Sequence, residues 1–240
     1  MLTNSIQTYA RLGGLLFLVS LVAGGFGEAY APSQIIVSGD AGMTAHQVLS
    51  SNMLFRAGFA AYTIEALCDV ALAGVFFVLM RAANGGVAIL FVLFHLMATA
   101  TFAFAEVFYF APAFILSNDS YTRSFAVEQL NALALLSLNI YGFAGTFSQV
   151  FYGVASILLG YLIYRSDYLP RVIGAIWILS GVAFVFSVYA EVMVPAYNSS
   201  ALAAPTFLAL VVTMLWLLIR GVDVAKWESR SRSSVLVPAG

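Results

Sequence analysis

Residues 87–110 read VAILFVLFHLMATATFAFAEVFYF, with one carboxylate (Glu106), one imidazole (His95) and neither glycine nor proline. As a helix at 1.5 Å per residue the run extends about 36 Å, enough to cross a hydrocarbon core of ~30 Å. It has no polar face of the kind a soluble amphipathic helix carries. It reads as a membrane span.

The rest of the chain agrees. Of 240 residues, 62% are hydrophobic and 9% charged, and the mean hydropathy is +0.96. Soluble domains are about 25% charged, so a soluble globular protein is excluded, and so is a disordered chain. A net charge of −1 leaves no basic face to track phosphates. Cys68 is the single cysteine, so neither an internal disulfide nor a multi-cysteine metal site can form.

Five further stretches, 12–31, 53–80, 138–164, 172–194 and 202–219, have span length and character. Turn formers separate them at Pro32 to Gly42, Ala83 to Gly86, Ser117 to Ser120, Ser166 to Pro170 and Pro195 to Ser200. The expected fold is an all-α, six-span transmembrane helical bundle. Residues 1–227 form one membrane domain and 228–240 a cytoplasmic tail. With the N-terminus in the cytoplasm, Arg11, Arg81, Arg165, Arg171, Arg220, Lys226, Arg230 and Arg232 all lie inside, and only Arg56 and Arg123 outside. The positive-inside rule therefore gives N-in, C-in. Ala29-Tyr30-Ala31 has the form of a signal-peptidase site, but Pro32 follows it, and the stretch is read as part of a retained span.

Local signals add detail. Thr44-Ala-His46-Gln47 is a capping-box pattern, with Met43 and Val48 placed as its hydrophobic staple, so helix two is expected to start near residue 45. Phe125 to Leu136 mixes Glu128, Gln129 and Asn131 with apolar residues. It is expected to lie at the outer interface, the chain entering the bilayer near Leu138 and free to bend at Gly142 and Gly145. Residues 11–26 and 171–186 share Arg, Gly, Ser, Val, Ala and Phe in register, an echo that is parallel and gives no support to an inverted repeat. Gly13, Gly14, Ser20 and Gly24 suit close helix contact. In the tail, Trp227 with Lys226, Arg230 and Arg232 reads as an interfacial anchor.

Polar residues inside the spans fall in two layers. Near the midplane stand Glu65 and Asp69, four apart on one helix face, with His95 and Gln149 on the next two spans. An ionised carboxylate at mid-span costs about 2.5–3.5 kcal/mol on insertion scales, so these residues need a compensating environment. They form either a proton- or ion-binding site or a structural hydrogen-bonded knot. About 10–12 Å toward the outer face, Glu28, Glu106 and Glu191 meet Arg56 and Asn139. This layer is either an acidic mouth for a cation, with Arg56 closing it, or headgroup-level anchoring with one Arg–Glu pair; His46 lies just outside.

Two histidines cannot make a three-His zinc centre, and His46 and His95 differ too much in depth for bis-His haem. Gly153 to Gly160, GVASILLG, lacks the lysine of a phosphate loop. No metal or cofactor is expected.

Several stretches together resemble the bacterial membrane family designated domain of unknown function 4386. They are Arg11-Leu-Gly-Gly-Leu-Leu, Leu54-Phe-Arg56-Ala-Gly58-Phe, Cys68-Asp69-Val-Ala-Leu with Arg81, Leu133-Ala-Leu-Leu, Tyr141-Gly142-Phe143, and Leu159-Gly-Tyr-Leu-Ile-Tyr-Arg165-Ser with Leu169-Pro170-Arg171-Val-Ile-Gly174. The resemblance implies a six- or seven-span bundle in a bacterial inner membrane and no particular activity. The family pattern often has a His before Tyr-Gly-Phe and an acid and a His after it. Leu138-Asn139-Ile140 and Ala144 to Ala155 carry none of these.

Three functional readings stay open. One is binding or transport of a proton, cation or small amphiphile. The second is an accessory or structural subunit, holding a second copy or a membrane partner. The third is an intramembrane lipid-modifying enzyme with a His–carboxylate pair.

Overall fold

The computed structural model describes residues 2–194 and 200–236, and every described element is helical. Six apolar helical segments are long enough to cross a membrane: Ile6–Ile35, Asn52–Met80, Gly85–Ser117, Val127–Ser166, Arg171–Met193 and Ala201–Ile219. All six expected spans are present. Of the expected turn at Pro195 to Ser200, all but Ser200 lies outside the described residues, as does the tail beyond 236.

The first span joins α1 (Leu2–Gly24), a π-helical stretch (Gly25–Tyr30) and α2 (Ala31–Ile35). In the π-turn Ala31 N–H reaches back five residues to Phe26 O. Here the structure corrects the capping box. Helix α3 (Ala41–Ser50) starts four residues earlier than expected, because Asp40 is the N-cap and accepts from Met43 N–H at 2.9 Å. Thr44 instead ties the preceding loop, accepting from Val37 N–H and donating to Val37 O, both at 3.1 Å. The second span, α4 (Asn52–Met80), is a separate helix beyond Ser51.

Helix α5 (Gly85–Ser117) runs through Pro112 without interruption. Proline has no N–H to give Phe108 O, the carbonyl four residues back. Ser137 of α7 donates to that oxygen at 2.8 Å, so the freed acceptor is satisfied within the protein. The short α6 (Asp119–Ser124) leads to α7 (Val127–Ser166), whose 40 residues form one helix about 60 Å long. The stretch expected at the outer interface, Phe125 to Leu136, falls from Val127 onward in the first turns of this helix, which runs past its span. Gly145 gives room to Phe102: a Cβ there would lie 2.7 Å from the ring.

Helices α8 (Arg171–Met193), α9 (Ala204–Ile219) and α10 (Val224–Leu236) complete the chain. Two compact units emerge: residues up to 18, 68–99 and from 148 form the first, and 19–67 with 100–147 the second. In the first, α8 and α9 are joined by Trp177 Nε1–H to Thr213 Oγ1 (2.8 Å) and by a Ser180–Thr206 hydroxyl pair (2.6 Å). Phe17 packs edge-on to Phe76 and stacks on Trp177. In the second, Ile35, Val48, Phe55, Ala105, Tyr109, Ala113, Leu138 and Tyr141 form the core. Gly27 lets the first span approach α4 so closely that a Cβ would stand 3.0 Å from Gly58 O.

The tail is also tied to the protein itself. Trp227 Nε1–H donates to Leu79 O at 3.0 Å, and Tyr168 O–H donates to the same oxygen at 2.7 Å. That carbonyl lies in the last turn of α4, where no helical N–H remains to serve it. Arg230 pairs with Asp167 and also donates to Arg165 O. Helix α10 is thus fastened to the protein by its indole and a guanidinium.

Candidate functional site

The midplane residues divide between the two units. His95 is buried (6% exposed), and its Nε2 faces Asp69 O at 3.1 Å. The link from α5 to α4 therefore runs to the backbone of Asp69. A nitrogen facing a carbonyl must carry the hydrogen, which fixes the ring as its Nε2–H tautomer. Phe91 and Tyr152 flank the imidazole, at centroid distances of 5.4 and 5.6 Å. Asp69 and Gln149 are half-buried. Glu65, also half-buried, belongs to the second unit, where its carboxylate occupies the space that Gly24 leaves open.

In the outer layer, Glu106 stands apart from its companions. It is 3% exposed, and Oε1 has no hydrogen-bond partner in the protein. Tyr141 donates a hydrogen bond to the same carboxylate. Glu106 and Tyr109 lie three apart on α5, one turn of the same face. Tyr109 stacks on Phe55 at 4.7 Å and meets Tyr141 at 5.2 Å. Glu28, on the exposed side of the π-turn, is near enough to act electrostatically on both Glu106 and Tyr141. The arrangement is a buried carboxylate with one oxygen held by a phenol, the other bare, a second carboxylate within electrostatic reach and an aromatic wall around it.

The remaining outer-layer residues do not join this group. Arg56, expected to close an acidic mouth or pair with one of its carboxylates, donates Nε–H to Asn52 Oδ1 at 2.6 Å. Its guanidinium lies over Phe110 at 5.6 Å. Glu191 is exposed near the end of α8, and Asn139 is exposed on α7. His46 is exposed on α3. Among the described residues, no three His, Cys, Asp or Glu side chains gather as a metal site would require.

The partner of Glu106, Tyr141, has no sequence signal because the contact is tertiary. Tyr109, whose spacing from Glu106 was a usable signal, gives its hydroxyl to Phe55 O at 3.4 Å. Also missed was a small cavity of about 10 Å³ in the first unit, lined among others by His95, Tyr152, Ser156 and Trp177.

Six membrane-length helices and a buried carboxylate site define a multi-pass, all-α integral membrane protein. The sequence profile of the family described as Domain of unknown function (DUF4386) matches residues 12–221, and the chain belongs to that family. No curated protein and no solved structure gives a significant match.

Proposed function

We propose that this protein binds, and passes across the bilayer, a proton or a small monovalent cation at Glu106. One observation carries the reading: a carboxylate 3% exposed within a membrane span keeps one oxygen bare, next to a second carboxylate. Isolated buried carboxylates are expensive in hydrocarbon, and those that persist inside spans mark ion or proton pathways. A proton or a small cation supplies what the bare oxygen lacks, while the Tyr141 hydroxyl serves the carboxylate and the charge of Glu28 acts on it from a distance.

The setting is a bacterial inner membrane, with both termini in the cytoplasm and residues 1–227 acting as one membrane domain ahead of a cytoplasmic tail at 228–240. Followed along the six spans, eight of the ten Lys and Arg residues fall at the ends that are cytoplasmic in this orientation, and only Arg56 and Arg123 at the others, a bias that supports it. The accessory-subunit reading draws on a different observation. His95 is engaged by the backbone carbonyl of Asp69, so this contact of the midplane layer supports a packing role for the histidine.

The test is dissipation of imposed H⁺, Na⁺ or K⁺ gradients in proteoliposomes. Wild-type protein is expected to collapse at least one gradient, and Glu106→Gln, incorporated to the same level, to do so at least ~10-fold more slowly, a loss of about 1.4 kcal/mol. Equal rates for the two proteins overturn the proposal.

A further inference from the structure

The first unit holds a second polar site, unrelated to Glu106. Five helices converge on the 10 Å³ cavity: α1 through Phe17, α4 through Leu72 and Phe76, α5 through Phe91 and His95, α7 through Tyr152 and Ser156, and α8 through Trp177. A space of that size takes the centre of one water and nothing larger. Its walls are mostly aromatic and aliphatic, which alone would keep it dry.

Ser156 changes that. Its side chain is buried (1% exposed), and its hydroxyl has no hydrogen-bond partner within the protein. Hydroxyls elsewhere in these helices bond back along their own helix: Thr63 to Phe59 O, Thr99 to His95 O and Thr213 to Ala209 O. Such back-bonding is the ordinary solution for a hydroxyl in a helix surrounded by hydrocarbon. Ser156 forgoes it and lines the cavity instead. The imidazole on the cavity wall offers a complementary acceptor. Nε2–H is engaged with Asp69 O, so in the neutral ring the other nitrogen, Nδ1, is a lone-pair acceptor. The Trp177 indole N–H is already given to Thr213 and does not compete.

We infer that this cavity binds one water molecule, bridging the Ser156 hydroxyl to the His95 imidazole. The water accepts from or donates to Ser156 and donates to Nδ1 of the imidazole. It thereby satisfies the buried Ser156 hydroxyl, links it to the imidazole, and pins α5 to α7 at the point where five helices meet.

A buried hydroxyl left truly unsatisfied is destabilising, so deleting it is neutral or favourable. A hydroxyl holding a bridge is stabilising, and deleting it removes that bridge. The sign of the Ser156→Ala effect therefore decides. Thermal unfolding in nanodiscs is expected to show Ser156→Ala melting several degrees below wild type. A wild-type structure at a resolution that orders waters is expected to show one density peak within hydrogen-bonding reach of Ser156 Oγ and the His95 ring. An unchanged or raised Tm overturns the inference, as does a cavity without density. Should Ser156→Ala fail to fold, the wild-type density decides alone.

Discussion

A Cβ atom placed on Gly160 would stand 2.6 Å from the carbonyl oxygen of Gly174, and one placed on Gly174 would stand 2.6 Å from that of Gly160. The contact repeats two turns away, where a Cβ on Gly153 would stand 2.9 Å from Gly181 O. Helices α7 and α8 thus cross backbone to backbone on two glycine pairs, each helix spacing its pair by seven residues. Without a hydrophobic force between helices in lipid, such close approach is what lets dispersion and weak Cα–H···O contacts hold them.

Gly160→Ala and Gly174→Ala should each destabilise by roughly 1–3 kcal/mol, because the neighbouring atom is main chain and cannot swing aside. Gly74→Ala is the control. Nothing lies within 4 Å of a Cβ there, and the gain in helix propensity should stabilise by up to about 1 kcal/mol. Thermal unfolding of the three variants in one detergent checks both signs.

Ser137 and Pro112 make a conditional pair. Ser137→Ala leaves Phe108 O buried beside a proline that cannot donate, at a cost of about 1–3 kcal/mol. Pro112→Ala restores the helical N–H to that oxygen, so in the Pro112→Ala background the Ser137 change should cost less than ~0.5 kcal/mol. A double-mutant cycle on Tm reads the difference; additive effects would show that the serine does not serve the proline's vacant bond.

The spans were legible because length and hydropathy report directly on the solvent a helix must meet. Capping was not: Asp40 and Thr44 are both good cap residues four apart, and only the tie from Thr44 back to Val37 leaves the role to Asp40. Glu106 was visible as a carboxylate in an apolar run, yet its phenol on α7 depends on tertiary packing. Arg56 was misplaced for a related reason. Depth put it with the acids, but its own helix and an aromatic neighbour supply Asn52 and Phe110 first. The glycine pairs carried a signal, since 153/160 and 174/181 share one spacing. Their partnership needed the structure.

The tail should respond to acid. Hydrogen bonds from Arg171 and then Arg230 hold the Asp167 carboxyl below the usual carboxylate range. A group whose folded pKa is depressed stabilises fully above its unfolded value, near ~3.9, and loses that contribution as pH falls through the folded one. Docking of α10 should thus be constant from neutral pH down to about 5 and weaken below about 4. Asp167→Asn should mimic the acid state at pH 7, with faster hydrogen–deuterium exchange over residues 224–232. Unchanged exchange would show that the Trp227–Leu79 bond suffices alone.

Around Glu106, two substitutions separate the geometry from a reading based on depth. Tyr141→Phe keeps the ring that meets Tyr109 and stacks on Phe102 but removes the hydroxyl that serves the carboxylate. A hydrogen bond to a charged group contributes about 1.5–3 kcal/mol, so gradient dissipation should slow by roughly tenfold or more while the protein still inserts. Arg56→Gln removes a cation at the same depth, but one already held by Asn52 and Phe110. If the site is the Glu106–Tyr141 pair, its rate should stay within about twofold of wild type. Were Arg56 instead the residue that gates an acidic mouth, the ranking would reverse, Arg56→Gln altering the flux and Tyr141→Phe leaving it intact. Measuring both variants in the same proteoliposome preparation distinguishes the two arrangements.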